Sequence, residues 1–172
     1  MIVLMAGLPG TGKTTLAREL ARQTSGRVFS KDEFRHALFL PEEIEYSSQQ
    51  DDFVMELMLQ TVGHLVRRDP SRVIFLDGRP FSRHYQIENV LQYADSLHQS
   101  WRILECVCSE ESARKRLSKD AGHPAGNRDF GLYLEVKSRF EQIVHPKLVI
   151  DTDQALESCI RRALPVLKSN ER

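Results

Sequence analysis

The sequence predicts a three-layer α/β fold: five parallel strands in one sheet, with helices on both faces. Three observations predict it. Short apolar runs recur at 1–6, 28–30, 73–76, 101–107 and 147–150. Between them lie segments whose apolar residues return at helical spacing. The first run also feeds straight into Gly7-Leu8-Pro9-Gly10-Thr11-Gly12-Lys13-Thr14, which fits the pattern G-x-x-x-x-G-K-[ST]. Strands alternating with helices pair in parallel, with the helices covering both faces of the sheet.

The first element, Met1 to Ala6, is uninterrupted in its apolar character, as suits a strand buried on both faces. After the glycine loop, Leu16, Ala17, Leu20 and Ala21 share a helix face opposite Arg18, Glu19 and Arg22. Strand, glycine loop and helix form the geometry in which backbone N–H groups and a helix N-terminus point at phosphate oxygens. Gly7, Gly10 and Gly12 permit close backbone approach, and Leu8, Pro9, Thr11 and Thr15 complete the expected nucleotide-binding set. In this arrangement Lys13 reaches the outer phosphates and the Thr14 hydroxyl holds Mg²⁺ against them, so ATP and Mg²⁺ are the expected cofactors.

The remaining elements follow in order. Val28 to Ser30 reads as the second strand, Lys31 to Phe39 as a short helix that Pro41 ends, and Phe53 to Val66 as a long amphipathic helix. Val73 to Leu76 is a buried strand ending at Asp77-Gly78, and Ile87 to Leu97 marks another helix. Trp101 to Val107 is a strand, followed by a helix over Glu110 to Lys119. The breakers from Asp120 to Asn127 read as a loop. Asp129 to Val144 then reads as one helix with Tyr133, Val136, Phe140 and Ile143 on one face. Lys147 to Ile150 is the last strand, and Leu156 to Leu167 a terminal amphipathic helix.

Composition narrows the class. A length of 172 residues suits one compact domain, 1–172. Lys plus Arg equal Asp plus Glu at 24 each, which argues against a general polyanion partner. Cys106, Cys108 and Cys159 lack metal or redox spacing, and Cys106 and Cys108 read as core residues on one strand face. No apolar run approaches the roughly 18 residues of a membrane span, and no charged leader precedes an apolar core. The expectation is a cytoplasmic protein without membrane contact, a monomer or homodimer.

Ligands of open parallel sheets sit beyond the carboxyl ends of the strands. Besides the glycine loop, two such ends carry telling residues. After strand two comes Ser30-Lys31-Asp32-Glu33-Phe34-Arg35. Asp32 there suits a base for an attacking hydroxyl and Arg35 an acceptor-binding group, although a helix cap and an ordinary ion pair fit the same residues. After strand three, Asp77 suits a metal-water or acceptor contact, Gly78 leaves room beside it, and Arg79 lies in reach of the same crevice. Arg83 reads rather as a solvated helix residue. Arg114, Lys115, Arg116, Lys119 and Arg128 border the Gly/Pro-bearing loop, a candidate lid over about 116–130. A closing lid would bring Arg116, with Arg128 second, to a transferring phosphoryl group. Glu42, Glu43, Glu45, Asp51, Asp52 and Glu56 lie in a stretch without Lys or Arg and read mainly as a solvated face. Over the acceptor they would repel nucleic acid and favour a neutral or cationic small molecule. The histidines show no ligand spacing, and His123 in the lid is a weak phosphate contact.

From Gly7 through Ile150-Asp151-Thr152 the chain resembles the small P-loop kinases related to adenylate kinase. Within them it is most similar to the branch of polynucleotide 5′-hydroxyl kinase, chloramphenicol phosphotransferase and zeta-type toxins. The residues that carry this are the glycine loop, Asp32-x-x-Arg35, Asp77 and Arg116. The resemblance implies strand order 2-3-1-4-5 and transfer of the ATP γ-phosphoryl group to a hydroxyl. It implies that Asp32 activates the acceptor, Arg35 binds it, and Arg116 contacts nucleotide and transferring phosphate. Two departures stand out. Leu76 to Pro80 resembles an adenylate-kinase motif without its acceptor-binding arginine pattern, and Lys119 replaces a common second lid arginine, a charge Arg128 would have to supply. The expected acceptor is a small molecule or nucleoside/nucleotide. Alternatives are a polynucleotide 5′-hydroxyl, a sugar nucleotide as for zeta toxins, and a nucleotide-dependent switch or ATPase without an acceptor.

Overall fold

The computed structural model describes residues 1–119 and 129–168. Its sheet has five parallel strands: β1 (Ile2–Ala6), β2 (Arg27–Ser30), β3 (Ile74–Asp77), β4 (Trp101–Val107) and β5 (Leu148–Asp151). They lie in the order β2-β3-β1-β4-β5, as the resemblance implied. Ile2 pairs with Ile74 on one side and Trp101 on the other, so β1 is central and buried throughout.

Alternation along β1 divides the core. Ile2, Leu4 and Ala6 join one cluster with α3 (Ser48–Arg68) and α4 (His84–Ser96), through Val54, Met58, Val62, Ile87 and Val90. Val3 and Met5 join the other with α1 (Lys13–Thr24) and α7 (Leu156–Lys168), through Leu16, Leu20, Cys159 and Ala163. A third cluster packs α5 (Glu110–Lys119) against α6 (Phe130–Ser138) through Ala113, Leu117 and Tyr133. Each face of the sheet thus carries its own apolar layer, the three-layer arrangement expected from the sequence.

Two helix boundaries and the placement of one cysteine differ from the sequence reading. The long helix α3 starts at Ser48 rather than Phe53, because the Ser47 hydroxyl accepts from the Gln50 amide at 3.1 Å and caps it. The helix expected to reach Val144 stops at Ser138. Beyond it the Glu141 amide donates to the Ser82 carbonyl at 2.9 Å, and the Glu141 carboxylate accepts from the His84 amide and the Arg83 guanidinium. Long-range contacts thus replace another helical turn. Cys108 lies beyond the end of β4 and is half-buried, while Cys106 is in the core, where burial pushes its thiol up to about 12. The expected loop 120–127, with His123, lies outside the described residues.

Candidate active site

The glycine loop crosses the carboxyl end of β1, and its lysine turns back into the loop. Lys13 is buried, and its ammonium donates to the Gly7 carbonyl at 2.8 Å and the Leu8 carbonyl at 2.7 Å. Gly7 makes this geometry possible. Its φ of +130° lies where L side chains are strained, and an added Cβ would fall 2.2 Å from the Cys106 carbonyl oxygen. Since a backbone carbonyl cannot swing aside as a side-chain tip can, Gly7→Ala is expected to cost about 3 kcal/mol. For a chain of this size that lowers Tm by roughly 5–10 °C, which calorimetry would read; an unchanged Tm would mean the loop relaxes freely.

Thr14, at the start of α1, donates its hydroxyl to Asp77 Oδ2 at 2.7 Å, joining loop and β3. The other oxygen, Asp77 Oδ1, is buried and has no hydrogen-bond partner among the described residues. A hydroxyl and a carboxylate with spare capacity suit Mg²⁺, which keeps waters and phosphate oxygens as further ligands. No group of three or more His, Cys, Asp or Glu side chains that could hold a metal ion occurs among the described residues.

The strand-two segment supplies the opposite wall. Ser30 caps α2 (Lys31–Leu38) by accepting from the Glu33 amide, which leaves the Asp32 side chain to face the cleft. Asp32 Oδ1 accepts from Arg35 Nη1 at 3.2 Å and lies 3.6 Å from Lys31 Nζ. Arg35 is only 1% exposed. Gly78, at φ +88°, permits the close passage: a Cβ there would come within 2.9 Å of the Lys31 amide nitrogen. Lys13, Thr14, Asp32, Arg35, Asp77 and Arg79 all line one cleft of about 490 Å³. The sequence singled out each of them.

It named two of their partners, Asp51 and Asp52, only as part of an acidic stretch. Asp51 Oδ1, on the first turn of α3, accepts from Lys31 at 2.8 Å and also bonds Arg35. Asp52 accepts from Arg79 at 2.5 Å and from the Tyr85 hydroxyl at 3.2 Å. Tyr46 lies under Arg35, ring centroid 5.1 Å from the guanidinium, and Tyr85 lies 5.9 Å from that of Arg79. The acidic stretch therefore is not simply a solvated face: Glu42, Glu43, Glu45 and Glu56 are exposed, while Asp51 and Asp52 are half-buried and paired with cations.

Lys31 is buried in the wall of the cleft. Burial lowers its pKa from 10.5 to about 8, against the pull of Asp32 and with the push of Arg35 and Arg79. Between those values the unfolded chain holds a proton that the folded chain has lost. Stability contributed by this residue therefore rises with pH across that window, by about 3 kcal/mol. Urea unfolding from about pH 7 to 10.5 is expected to show the wild type gaining on Lys31→Met. Parallel curves would mean that Lys31 stays fully hydrated.

Arg116 stands apart from the cleft. From α5 it donates to the Thr152 hydroxyl at 3.0 Å, the Thr152 carbonyl at 2.6 Å and, at 3.4 Å, the Gly10 carbonyl. It therefore borders the outer side of the glycine loop, away from Asp32. Arg128 lies outside the described residues, as does most of the expected lid. Arg83, expected in solvent, precedes α4 and pairs with Glu141 at 2.9 Å on the cleft rim. Leu132, Val136 and Arg139 complete the far wall.

A five-stranded parallel sheet in this order, with a glycine loop at the carboxyl end of its central strand, defines a P-loop protein. The family model described as an AAA domain (AAA_33) matches residues 2–142, and the chain belongs to that family. A curated relative from Halalkalibacterium halodurans, named "Probable adenylyl-sulfate kinase", is 24% identical over 99% of this chain and 84% of its own. Among solved structures, an APS kinase of Mycobacterium tuberculosis in complex with AMPPNP and APS is similar with a TM-score of 0.71. It is 16% identical over 98% of this chain and 97% of that one. A sugar kinase from Janibacter superposes with a TM-score of 0.65, at 21% identity over 96% of this chain and 93% of its own. At such identities the structural likeness carries the fold. No helix among the described residues is long and apolar enough to cross a membrane.

Proposed function

We propose that this protein is an ATP-dependent kinase that transfers the γ-phosphoryl group to a hydroxyl of a small molecule. The observation that carries the reading is the convergence of Lys13, the Thr14–Asp77 pair and Asp32 on one cleft. In this reading Lys13 and the loop amides from Gly7 to Thr15 bind the β- and γ-phosphates. Magnesium, held by Thr14 and Asp77, would neutralise phosphate charge. Asp32 accepts the proton of the acceptor hydroxyl as its oxygen bonds to the γ-phosphorus, and the bond to the β-γ bridging oxygen breaks to release ADP. Among the described residues Asp32 Oδ2 takes no hydrogen bond, so an acceptor hydroxyl has an oxygen to meet. Arg35 and Arg79 orient the acceptor. Arg116 borders the outer side of the glycine loop, a place suited to a nucleotide contact, and Arg128 is its expected companion as the lid closes.

A relative named for adenylyl sulfate and neighbours named for sugar and gluconate support a phosphotransferase acting on small molecules. The polynucleotide-kinase branch rests on the glycine loop, Asp32-x-x-Arg35, Asp77 and Arg116 of the sequence, and the carboxylates Asp51 and Asp52 beside the acceptor cations weigh against a polyanionic acceptor. The test is ATP consumption screened against sugars, polyols, nucleosides and 5′-hydroxyl oligonucleotides, with Lys13→Ala as blank. Acceptor-dependent ADP release in the wild type alone supports the reading. Release that no hydroxyl compound stimulates would favour a switch or ATPase.

A further inference from the structure

Each cation in the acceptor half of the cleft has a carboxylate partner, two of which, Asp52 on Arg79 and Glu135 on Arg139, stand outside the cleft lining. Three buried cations, Lys31, Arg35 and Arg79, face three carboxylates, Asp32, Asp51 and Asp52, and every cation has at least one carboxylate in contact. The rim repeats the pattern, with Arg83 on Glu141 at 2.9 Å. Arg35 Nε and Arg79 Nε are buried donors without a partner among the described residues, but a carboxylate, phosphate or sulfate reaching them would meet cations whose charge is already offset and would be pressed against Asp32 and Asp51. Asp32 and Asp51, with 8% and 22% of their side chains exposed, are poorly solvated, so a second negative charge beside them is far costlier than a hydroxyl, whereas Asp52 at 43% is open to water. Hydroxyl groups face no such conflict. They donate to carboxylate oxygens and accept from guanidinium groups without breaking an ion pair. The rings of Tyr46 and Tyr85 line the same cleft, each with a guanidinium over its face, so they hold Arg35 and Arg79 in place beside the acceptor.

We infer that the acceptor is uncharged and polyhydroxylated, of the sugar or polyol class, and that Asp51 and Asp52 exclude anionic acceptors by neutralising Lys31, Arg35 and Arg79. This rests on the kinase reading above and narrows it. It also separates this chain from relatives named for gluconate or adenylyl sulfate, both of which carry a negative charge. Asp51 and Asp52 act as specificity residues, setting the sign of charge that the cleft tolerates.

The test uses pairs matched except for charge, sorbitol against gluconate and glucose against glucuronate, with the full chain. Turnover is read as kcat/KM for ADP release. Affinity is read by calorimetric titration with the glycine loop saturated by magnesium AMPPNP, so that anions cannot occupy that loop. For the wild type the neutral member of at least one pair is expected to lead by tenfold or more in one of the two readings. Asp51→Asn frees charge on Lys31 and Arg35 and is expected to shrink that lead about tenfold. Asp52→Asn, which frees Arg79 from a more exposed carboxylate, makes the same comparison if Asp51→Asn does not fold. An acid preferred by the wild type, a lead unmoved by either variant, or no neutral member bound would each overturn the inference. Turnover of an anionic hydroxyl compound in preference to its neutral match would do so while leaving the kinase reading intact. Equal ATP consumption by wild type and Lys13→Ala would instead strike the kinase reading.

Discussion

Asp32→Asn keeps ATP affinity and loses phosphoryl transfer, with kcat expected to fall about 10²–10⁴-fold. The amide has the shape of the carboxylate but cannot take a proton from a hydroxyl. The same substitution removes one of the carboxylates that compensate Lys31 and Arg35, so some destabilisation accompanies it; Asp51 still contacts both cations and limits the loss. The two effects separate in measurement. ATP binding by calorimetry and Tm are expected to move little, and turnover a great deal. Unchanged turnover would remove Asp32 from the mechanism, whatever the acceptor.

Lys13→Ala has the second large effect, and it falls on the other half of the site. The Lys13 ammonium is the buried cation enclosed by the loop, held 2.8 Å and 2.7 Å from two loop carbonyls. Removing it leaves those carbonyls without this donor and takes a positive charge from where the β- and γ-phosphates are proposed to lie. Both binding and transition-state stabilisation suffer, and kcat/KM for ATP is expected to fall about 10³-fold or more. Equilibrium binding of magnesium AMPPNP should weaken in parallel. If the variant binds nucleotide as tightly as the wild type, the loop does not hold the triphosphate.

Much of the site was legible because it follows strand ends. Once β1 and β3 are recognised as buried parallel strands, Lys13, Thr14 and Asp77 must emerge at the same edge of the sheet, and Asp32 follows β2 to that edge as well. Asp51 and Asp52 were legible only in part. The apolar stripe of α3 begins at Phe53, so periodicity starts the helix too late and leaves both carboxylates in an acidic loop. Ser47 followed by Gln50 is a helix-start signature that would have placed them on the first turn. Their pairing with Lys31, Arg35 and Arg79 was beyond local reading, because it depends on how α3 packs on α2 and on the strand-three loop. The early end of α6 has the same origin: Glu141 looks helical in sequence, yet its contacts with Ser82, Arg83 and His84 come from 57 or more residues away.

The most direct test of the central claim is a crystal structure with magnesium AMPPNP bound. The expected result has the γ-phosphate between Lys13 and Asp32, with magnesium bridging it to Thr14 and Asp77. A nucleotide bound away from the glycine loop, or a γ-phosphate turned to the side opposite Asp32, would contradict it.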